Sequence, residues 1–245
     1  MSKPDTEGAY VVTGAASGIG RALAERLVAD GAFVCACDSD AAGLREFAAS
    51  PRLLTRIVDV RDRNTLQTAV EEAEAAAGSI RGLLTCAAVF KATAFLDLDE
   101  PTWDNTFAIN LKGTLFAIQA VLPSMRKQKR GAIVLFSSTI ARSGAADGAH
   151  YAATKGGVLG LGRTVALETA ADGIRVNILS PGVTDTAQPR GNMTEEELFS
   201  RAAAIPLGRI GDTSDMVEAA LFLLSDDASF ITGQDLRVTG GARLF

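Results

Sequence analysis

The sequence predicts an α/β fold: a single doubly wound domain over residues 1–245, with a parallel sheet of about seven strands and helices on both faces. Three observations carry this. Short apolar runs alternate with helix-like segments along the whole chain. The runs are apolar without alternation, as suits strands covered on both faces. No linker, repeat or low-complexity tract interrupts the pattern. Residues 9–13 form the first β-type run. Ile19, Leu23 and Leu27 then recur at four-residue spacing, one face of a helix over 19–29 that Gly31 ends. The second run is 32–37, and 56–60, 82–88, 132–137 and 175–179 repeat it. Segments 65–77, 103–125, 151–171 and 215–224 read as helices between them. The stretch 184–209, with Pro189, Gly191 and Pro206, breaks the alternation after a strand, which predicts a lid.

Composition sets bounds on partners. Hydrophobic residues make up 47% and charged residues 22%, which suits a globular protein with a large core. A net charge of −5 gives no footprint for nucleic acid or an anionic membrane. The first residues are polar and mixed in charge, unlike a signal peptide, and no apolar run approaches the roughly 18 residues of a membrane span. Cys35 and Cys37 lie two apart in an apparent strand, a poor separation for a disulfide, and Cys86 sits in another apolar run. Buried thiols point to a reducing compartment, so a cytoplasmic protein is expected. No metal site is expected.

The turn Thr13-Gly14-Ala15-Ala16-Ser17-Gly18-Ile19-Gly20 joins the first strand to the first helix. Glycine lets the backbone turn sharply and approach a pyrophosphate, and the helix N-terminus offers N–H groups and a positive dipole end. This placement is that of a Rossmann-type dinucleotide site, although glycines alone would also serve a plain strand-to-helix turn. Asp38 closes the second strand, where a carboxylate can accept hydrogen bonds from both adenosine ribose hydroxyls. It would also repel a 2′-phosphate: two unit charges at ~4 Å and an effective dielectric near 20 interact by about 4 kcal/mol. That is up to roughly a thousandfold against NADP. No Lys or Arg lies within 14–20 or directly after Asp38, so NAD is the expected cofactor. A carboxylate that merely caps the next turn is the competing reading.

Ser138, twelve residues, then Tyr151-Ala152-Ala153-Thr154-Lys155 goes beyond a generic nucleotide site. With the glycine turn, Asn110-Leu111-Lys112-Gly113, Pro181-Gly182-Val183-Thr184-Asp185-Thr186, Ile231-Thr232-Gly233-Gln234 and Gly240-Gly241, the chain strongly resembles the classical short-chain dehydrogenase/reductases over almost its whole length. The physics agrees with the chemistry this implies. Tyr151 and Lys155 are four apart on a helix and share a face. A nearby ammonium and the nicotinamide cation favour the phenolate; a shift of ~3 units from the usual value near 10 takes about 4 kcal/mol. Tyr151 is then the expected acid/base, and Ser138 stabilises charge on the same oxygen. The resemblance further implies that Lys155 holds the nicotinamide ribose and that Asn110 orders a relay water, although an asparagine there could simply bind backbone. It also implies cofactor contacts at Gly14, Ser17, Gly18, Ile19 and Gly20, at Asp59 and Val60 around adenine, at Ala87, Pro181 and Gly182, and at Thr184 and Thr186.

Thr85-Cys86-Ala87-Ala88 departs from the family's usual Asn-Asn-Ala-Gly. Thr85 could replace only part of the first asparagine's bonding between strands, and Ala88 adds a methyl near the cofactor. His150, the single histidine, reads as a pocket-rim or surface residue. Val89, Phe90, Ile140, Arg142 and Val183 are candidate pocket walls, and Arg142 or Arg190 could meet a substrate carboxylate or be solvated. The resulting expectation is hydride transfer between NAD(H) and a secondary alcohol, polyol or ketone. The alternatives are a 3-oxoacyl reductase of fatty-acid synthesis, whose relatives usually choose NADPH, and a non-catalytic NAD-binding homologue. The resemblance also implies a homotetramer, paired through 103–125 and 151–171, with Gly240–Phe245 at a second interface.

Overall fold

The computed structural model describes residues 5–242. Seven parallel strands form one sheet in the order β3-β2-β1-β4-β5-β6-β7: β1 Ala9–Thr13, β2 Phe33–Asp38, β3 Leu53–Ile57, β4 Ile80–Thr85, β5 Gly131–Phe136, β6 Ile174–Pro181 and β7 Asp235–Val238. The order reverses between β1 and β4. In a doubly wound sheet this switch opens a crevice beyond the strands' carboxyl ends.

The helices are α1 Gly18–Ala29, α2 Ala41–Arg45, α3 Arg63–Ala77, α4 Glu100–Phe107, α5 Gly113–Gln128, α6 Ile140–Ser143, α7 Ala149–Thr169, α8 Ala187–Arg190, α9 Glu195–Ala204 and α10 Thr213–Leu224. They cover both sheet faces. Leu66 and Val70 of α3, Val121 of α5 and Val158 of α7 pack on one face with Val11, Leu83 and Ile133. Leu23 and Leu27 of α1, with Val217 and Leu221 of α10, pack on the other with Val12, Leu84 and Val134. Each fully buried leucine among them contributes about 1.5–3 kcal/mol of burial energy. Cys35 and Cys37 are free and buried, and Cys86 is free and half-buried. Among the described residues, no helix is long and apolar enough to cross a membrane.

Local chemistry sets most helix ends. Asp62 accepts from the Asn64 and Thr65 amides to start α3, and Gly78, at φ 82°, ends it. Thr194 and Glu197 form a reciprocal capping box at α9.

The sequence pattern and the structure differ at several places. The run 56–60 is not the third strand, which lies at Leu53–Ile57. Val58 and Val60 are buried in the turn beyond it and so mimic a strand's apolar run. Asp59 and Val60 therefore sit just past the strand end. The fourth strand stops at Thr85 and leaves Cys86–Ala88 in a loop. The helix expected over 103–125 runs from Glu100 to Gln128, but a π turn over Ala108–Lys112 separates α4 from α5. Such turns shift the side chains around them and recur at functional sites. The lid segment 184–209 carries α8 and α9 and is pinned at its base, where Thr184 bridges Gly211. Gly240 and Gly241 pack against this returning lid, since Leu207 donates its amide to the Gly240 carbonyl at 3.1 Å. Leu244 and Phe245, expected at an interface, lie outside the described residues.

Candidate active site

The glycine turn occupies the crevice at the switch point. Gly14 and Gly18 adopt φ of +68° and +54°, a region that favours glycine. A Cβ on Gly14 would stand 2.5 Å from the Ala87 amide nitrogen, and one on Gly20 would stand 2.1 Å from the Gly14 carbonyl oxygen. The three segments therefore meet backbone to backbone. Ser17 is the N-cap of α1 and makes no side-chain cap, so the first turn, with Ile19 in it, presents its amides at the crevice. Thr186 faces Gly18, with 3.4 Å between its methyl and the place a Gly18 Cβ would take. An anion at this cradle would meet amides and a dipole end, which fits a dinucleotide pyrophosphate.

Asp38 stands at the end of β2, half-buried. One carboxylate oxygen accepts from the Ala16 amide and the other from the Asp40 amide, each at 2.9 Å. It thus does what the capping alternative required and also faces the glycine turn, with Asp40 adding a second negative charge nearby. Asp59 is gripped by Arg61, whose guanidinium reaches both carboxylate oxygens and Asn105. Val60 is buried against Gly113. Pro181 accepts from the Thr139 amide and Gly182 donates to Val238, which fixes the floor between β6 and β7. Thr184 is buried and its hydroxyl donates to the Gly182 carbonyl.

Tyr151 and Lys155 project from the first two turns of α7 toward the end of β5. Lys155 is 3% exposed; its Nζ donates to the Phe136 carbonyl at 2.8 Å and lies 5.5 Å from the Tyr151 ring centroid. Burial lowers its pKa from 10.5 to about 8. Tyr151 is 7% exposed, and burial raises its pKa, against which hydrogen-bonding contacts from Gln188 and Ser138 act. Burial therefore favours a protonated phenol and an easily deprotonated lysine. The phenolate expected from the sequence is not favoured by the protein alone. Ser138 accepts from the Ile140 amide at 3.3 Å, which leaves its hydroxyl hydrogen directed by its other neighbours.

Asn110, on the π turn, is fully buried. Its Oδ1 accepts from the Val89 amide at 2.8 Å, and its Nδ2 donates to the Val89 carbonyl at 3.0 Å and to Thr154 at 3.3 Å. It ties the loop after β4 to α7, the backbone-binding alternative to an ordered water. Thr85 accepts from the Phe136 amide at 3.4 Å, so it does replace part of the missing bonding between strands. Phe136 thus receives Thr85 on its amide and Lys155 on its carbonyl.

Several contributors had no sequence signal. Gln188 reaches Tyr151 from an exposed lid helix, and Ser137 clasps α7 by donating to the Lys155 carbonyl at 2.9 Å. His150 is buried rather than on a rim or surface, because Phe90, distant in sequence, stacks over it at 5.9 Å. Arg142 pairs with Asp235, and Arg190 pairs with Asp185 and Glu195, so both guanidiniums are already engaged.

Comparison with known proteins agrees with this architecture. Residues 14–243 match a family described as Enoyl-(Acyl carrier protein) reductase. The chain is 35% identical over 245 residues to (3R)-3-hydroxyacyl-CoA dehydrogenase of Mus musculus, covering 94% of each chain. It is 32% identical over 235 residues to the 3-oxoacyl-[acyl-carrier-protein] reductase FabG of Salmonella typhimurium, covering 94% of this chain and 95% of that one. A crystal structure of a short-chain dehydrogenase/reductase from Brucella melitensis, described as Glucose/ribitol dehydrogenase, superposes with a TM-score of 0.94 at 31% identity over the full length of both. These relatives are oxidoreductases acting on CH–OH groups and their carbonyl partners, and this chain belongs with them: it is a classical short-chain dehydrogenase/reductase.

Proposed function

We propose that the chain is one catalytic unit that transfers a hydride between NAD(H) and a secondary alcohol or ketone, with Tyr151 as acid/base. The observation that carries this is the meeting of Ser138, Tyr151 and Lys155 beside the glycine turn at the sheet's switch point. Bound nicotinamide supplies or accepts the hydride. Ile19 and Gly20 would hold the pyrophosphate with their amides, Ser17 and Thr186 would flank it, and Asp38 would hold the adenosine ribose. Asp59 and Val60 would wall the adenine, with Ala87, Pro181, Gly182 and Thr184 along the rest of the cleft. Lys155 would exchange its bond to Phe136 for one to the nicotinamide ribose, and its charge would then draw Tyr151 toward phenolate. Ser138 would donate to the substrate oxygen while Tyr151 takes or gives its proton. Asn110 would act by holding the Val89 loop against α7. The free thiols support a cytoplasmic placement.

Asp38, with Asp40 beside it, favours NAD over NADP by repulsion. A second reading, a 3-oxoacyl or 3-hydroxyacyl thioester as substrate, is favoured by what two kinds of similar relative are named for. A merely NAD-binding role is opposed by the intact Ser138–Tyr151–Lys155 set. Absorbance of NADH and NADPH with a panel of alcohols, ketones and 3-oxoacyl thioesters tests all three. Turnover with a kcat/KM preference for NAD(H) is expected. Parity or an NADP preference would sink the cofactor argument, and binding without turnover on any member would leave only the non-catalytic role.

A further inference from the structure

His150 is the single histidine of the chain and is 0% exposed. Neither ring nitrogen makes a well-formed hydrogen bond among the described residues. A buried polar atom without a partner costs free energy, and folded proteins keep few of them. The surroundings explain the cost but not its purpose. Phe90 stacks on the imidazole at 5.9 Å, and the same ring packs at a tilt against Tyr151 at 4.9 Å. Burial lowers the pKa of His150, and the Lys91 backbone nearby acts in the opposite sense without offsetting it.

What covers the ring is slight. Lys91 and Ala92 are exposed, on a stretch without regular secondary structure. Ala92 donates to Asn192 of the lid segment at 3.1 Å, and Thr93 donates to the Asp147 carbonyl, before α7, at 2.8 Å. The orphaned imidazole therefore lies under the junction of three segments: the lid, the loop after β4, and the turn leading into α7. That junction also screens Tyr151, which Gln188 reaches from the lid. A substrate that parts this junction on its way to Tyr151 would uncover His150.

We propose that His150 is a specificity-determining residue whose imidazole, once the junction parts, hydrogen-bonds a second oxygen carried by the substrate close to its reacting carbon. The inference rests on the oxidoreductase reading above and narrows its substrate class. Tyr151 and His150 share one Phe90 ring, so the two polar contacts stand a side chain apart, with an apolar wall between. A neutral imidazole offers one donor and one acceptor, which suits an uncharged ester, thioester or hydroxyl oxygen rather than a carboxylate. A simple ketone of the same length would leave the imidazole unpaired in the closed complex. Sites built to bond a substrate oxygen reject analogues that lack it more strongly than apolar pockets reject an added group.

A matched pair of substrates tests this: ethyl 3-oxobutanoate and 2-heptanone, equal in chain length and differing in the second oxygen function. Reduction is followed through NADH for the untagged wild type, His150→Phe and His150→Gln. Phenylalanine keeps the stack on Phe90 and removes both polar atoms, whereas glutamine keeps a donor and an acceptor. The ratio of kcat/KM for the oxoester over the ketone should fall by about tenfold in His150→Phe, the worth of one well-placed hydrogen bond, and recover largely in His150→Gln. The loss should fall mainly on KM for the oxoester. The lone imidazole also gives a single Hε1 resonance, which should move on adding the oxoester and stay in place with the ketone. An unchanged ratio in His150→Phe, or a resonance indifferent to the oxoester while both compounds are reduced, overturns the role of His150 and leaves the enzyme reading standing. Reduction of neither compound with either cofactor, and of no other carbonyl in a wider panel, overturns the oxidoreductase reading and this inference with it.

Discussion

Lys155 donates its ammonium protons to one backbone carbonyl in a place almost without solvent, and this has two consequences at the scale of single residues. Its folded-state pKa of about 8 lies below the ordinary 10.5. Between those values the unfolded chain binds more protons than the folded one, so this residue makes stability rise with pH across that window. Lys155→Met should therefore be more stable than wild type at pH 7, by an amount on the order of 3 kcal/mol before the lost bond to Phe136, and the advantage should shrink toward pH 10. Denaturant midpoints of both proteins at several pH values check it; parallel profiles would refute the shift. The second consequence is catalytic. Tyr151→Phe removes one hydroxyl and keeps the ring against Phe90, so NAD affinity should stay near wild type while turnover falls at least about a hundredfold. Lys155→Ala should weaken both. Cofactor titrations beside alcohol oxidation distinguish the two variants, and near wild-type oxidation by Tyr151→Phe would place the proton acceptor elsewhere. Asp38 has a double duty: Asp38→Ala should narrow the NAD-over-NADP ratio by relieving repulsion and also lower affinity for NAD, because the Ala16 amide loses its acceptor. A narrowed ratio at full NAD affinity would mean the carboxylate does not brace the glycine turn.

At the scale of elements, the end of β5 is where the departure from the family's usual strand-four motif is absorbed. Thr85→Val is nearly isosteric and leaves the Phe136 amide without its acceptor. It should cost about 1–3 kcal/mol. It should also raise KM for the cofactor, since the same residue anchors Lys155 through its carbonyl. Melting and kinetics on one variant check both parts; loss of stability with unchanged KM would separate the strand bond from the site. This region also marks what could be read from residues alone. The glycine turn, Asp38 and the Ser138–Tyr151–Lys155 spacing were legible because their chemistry needs particular side chains at fixed local distances. Helix cores such as Leu23 and Leu27 were legible through their period. The edge strand β3 was misplaced because buried Val58 and Val60 in a turn look like a strand's run. The π turn beneath Asn110, the contact from Gln188 and the burial of His150 had no local signal, since each is set by partners tens of residues away.

At the scale of the whole molecule, one apolar groove asks for a partner. It has a volume of about 660 Å³ and is lined by Phe107, Leu111, Leu115, Gly157 and Leu161, between the α4–α5 helix and α7. These are the two helices through which pairing was expected, and Leu167 on α7 is 83% exposed near the far end of that helix. A homotetramer built on isologous pairing here should become a smaller species in Leu161→Arg, measured by light scattering at micromolar concentration. A wild-type monomer would overturn the assembly, and a variant of unchanged mass would move the pairing to another face. The strand order has a further consequence, for the chain as it is made. β1 pairs with β2, only some twenty residues on, but its other side pairs with β4, register Tyr10 with Gly82 and Thr13 with Thr85. Until Ile80–Thr85 leaves the ribosome, this interior strand of the finished sheet is an edge, with its amides and carbonyls open to a neighbouring nascent chain. A strand paired on both sides in the native sheet is thus open to mispairing during synthesis.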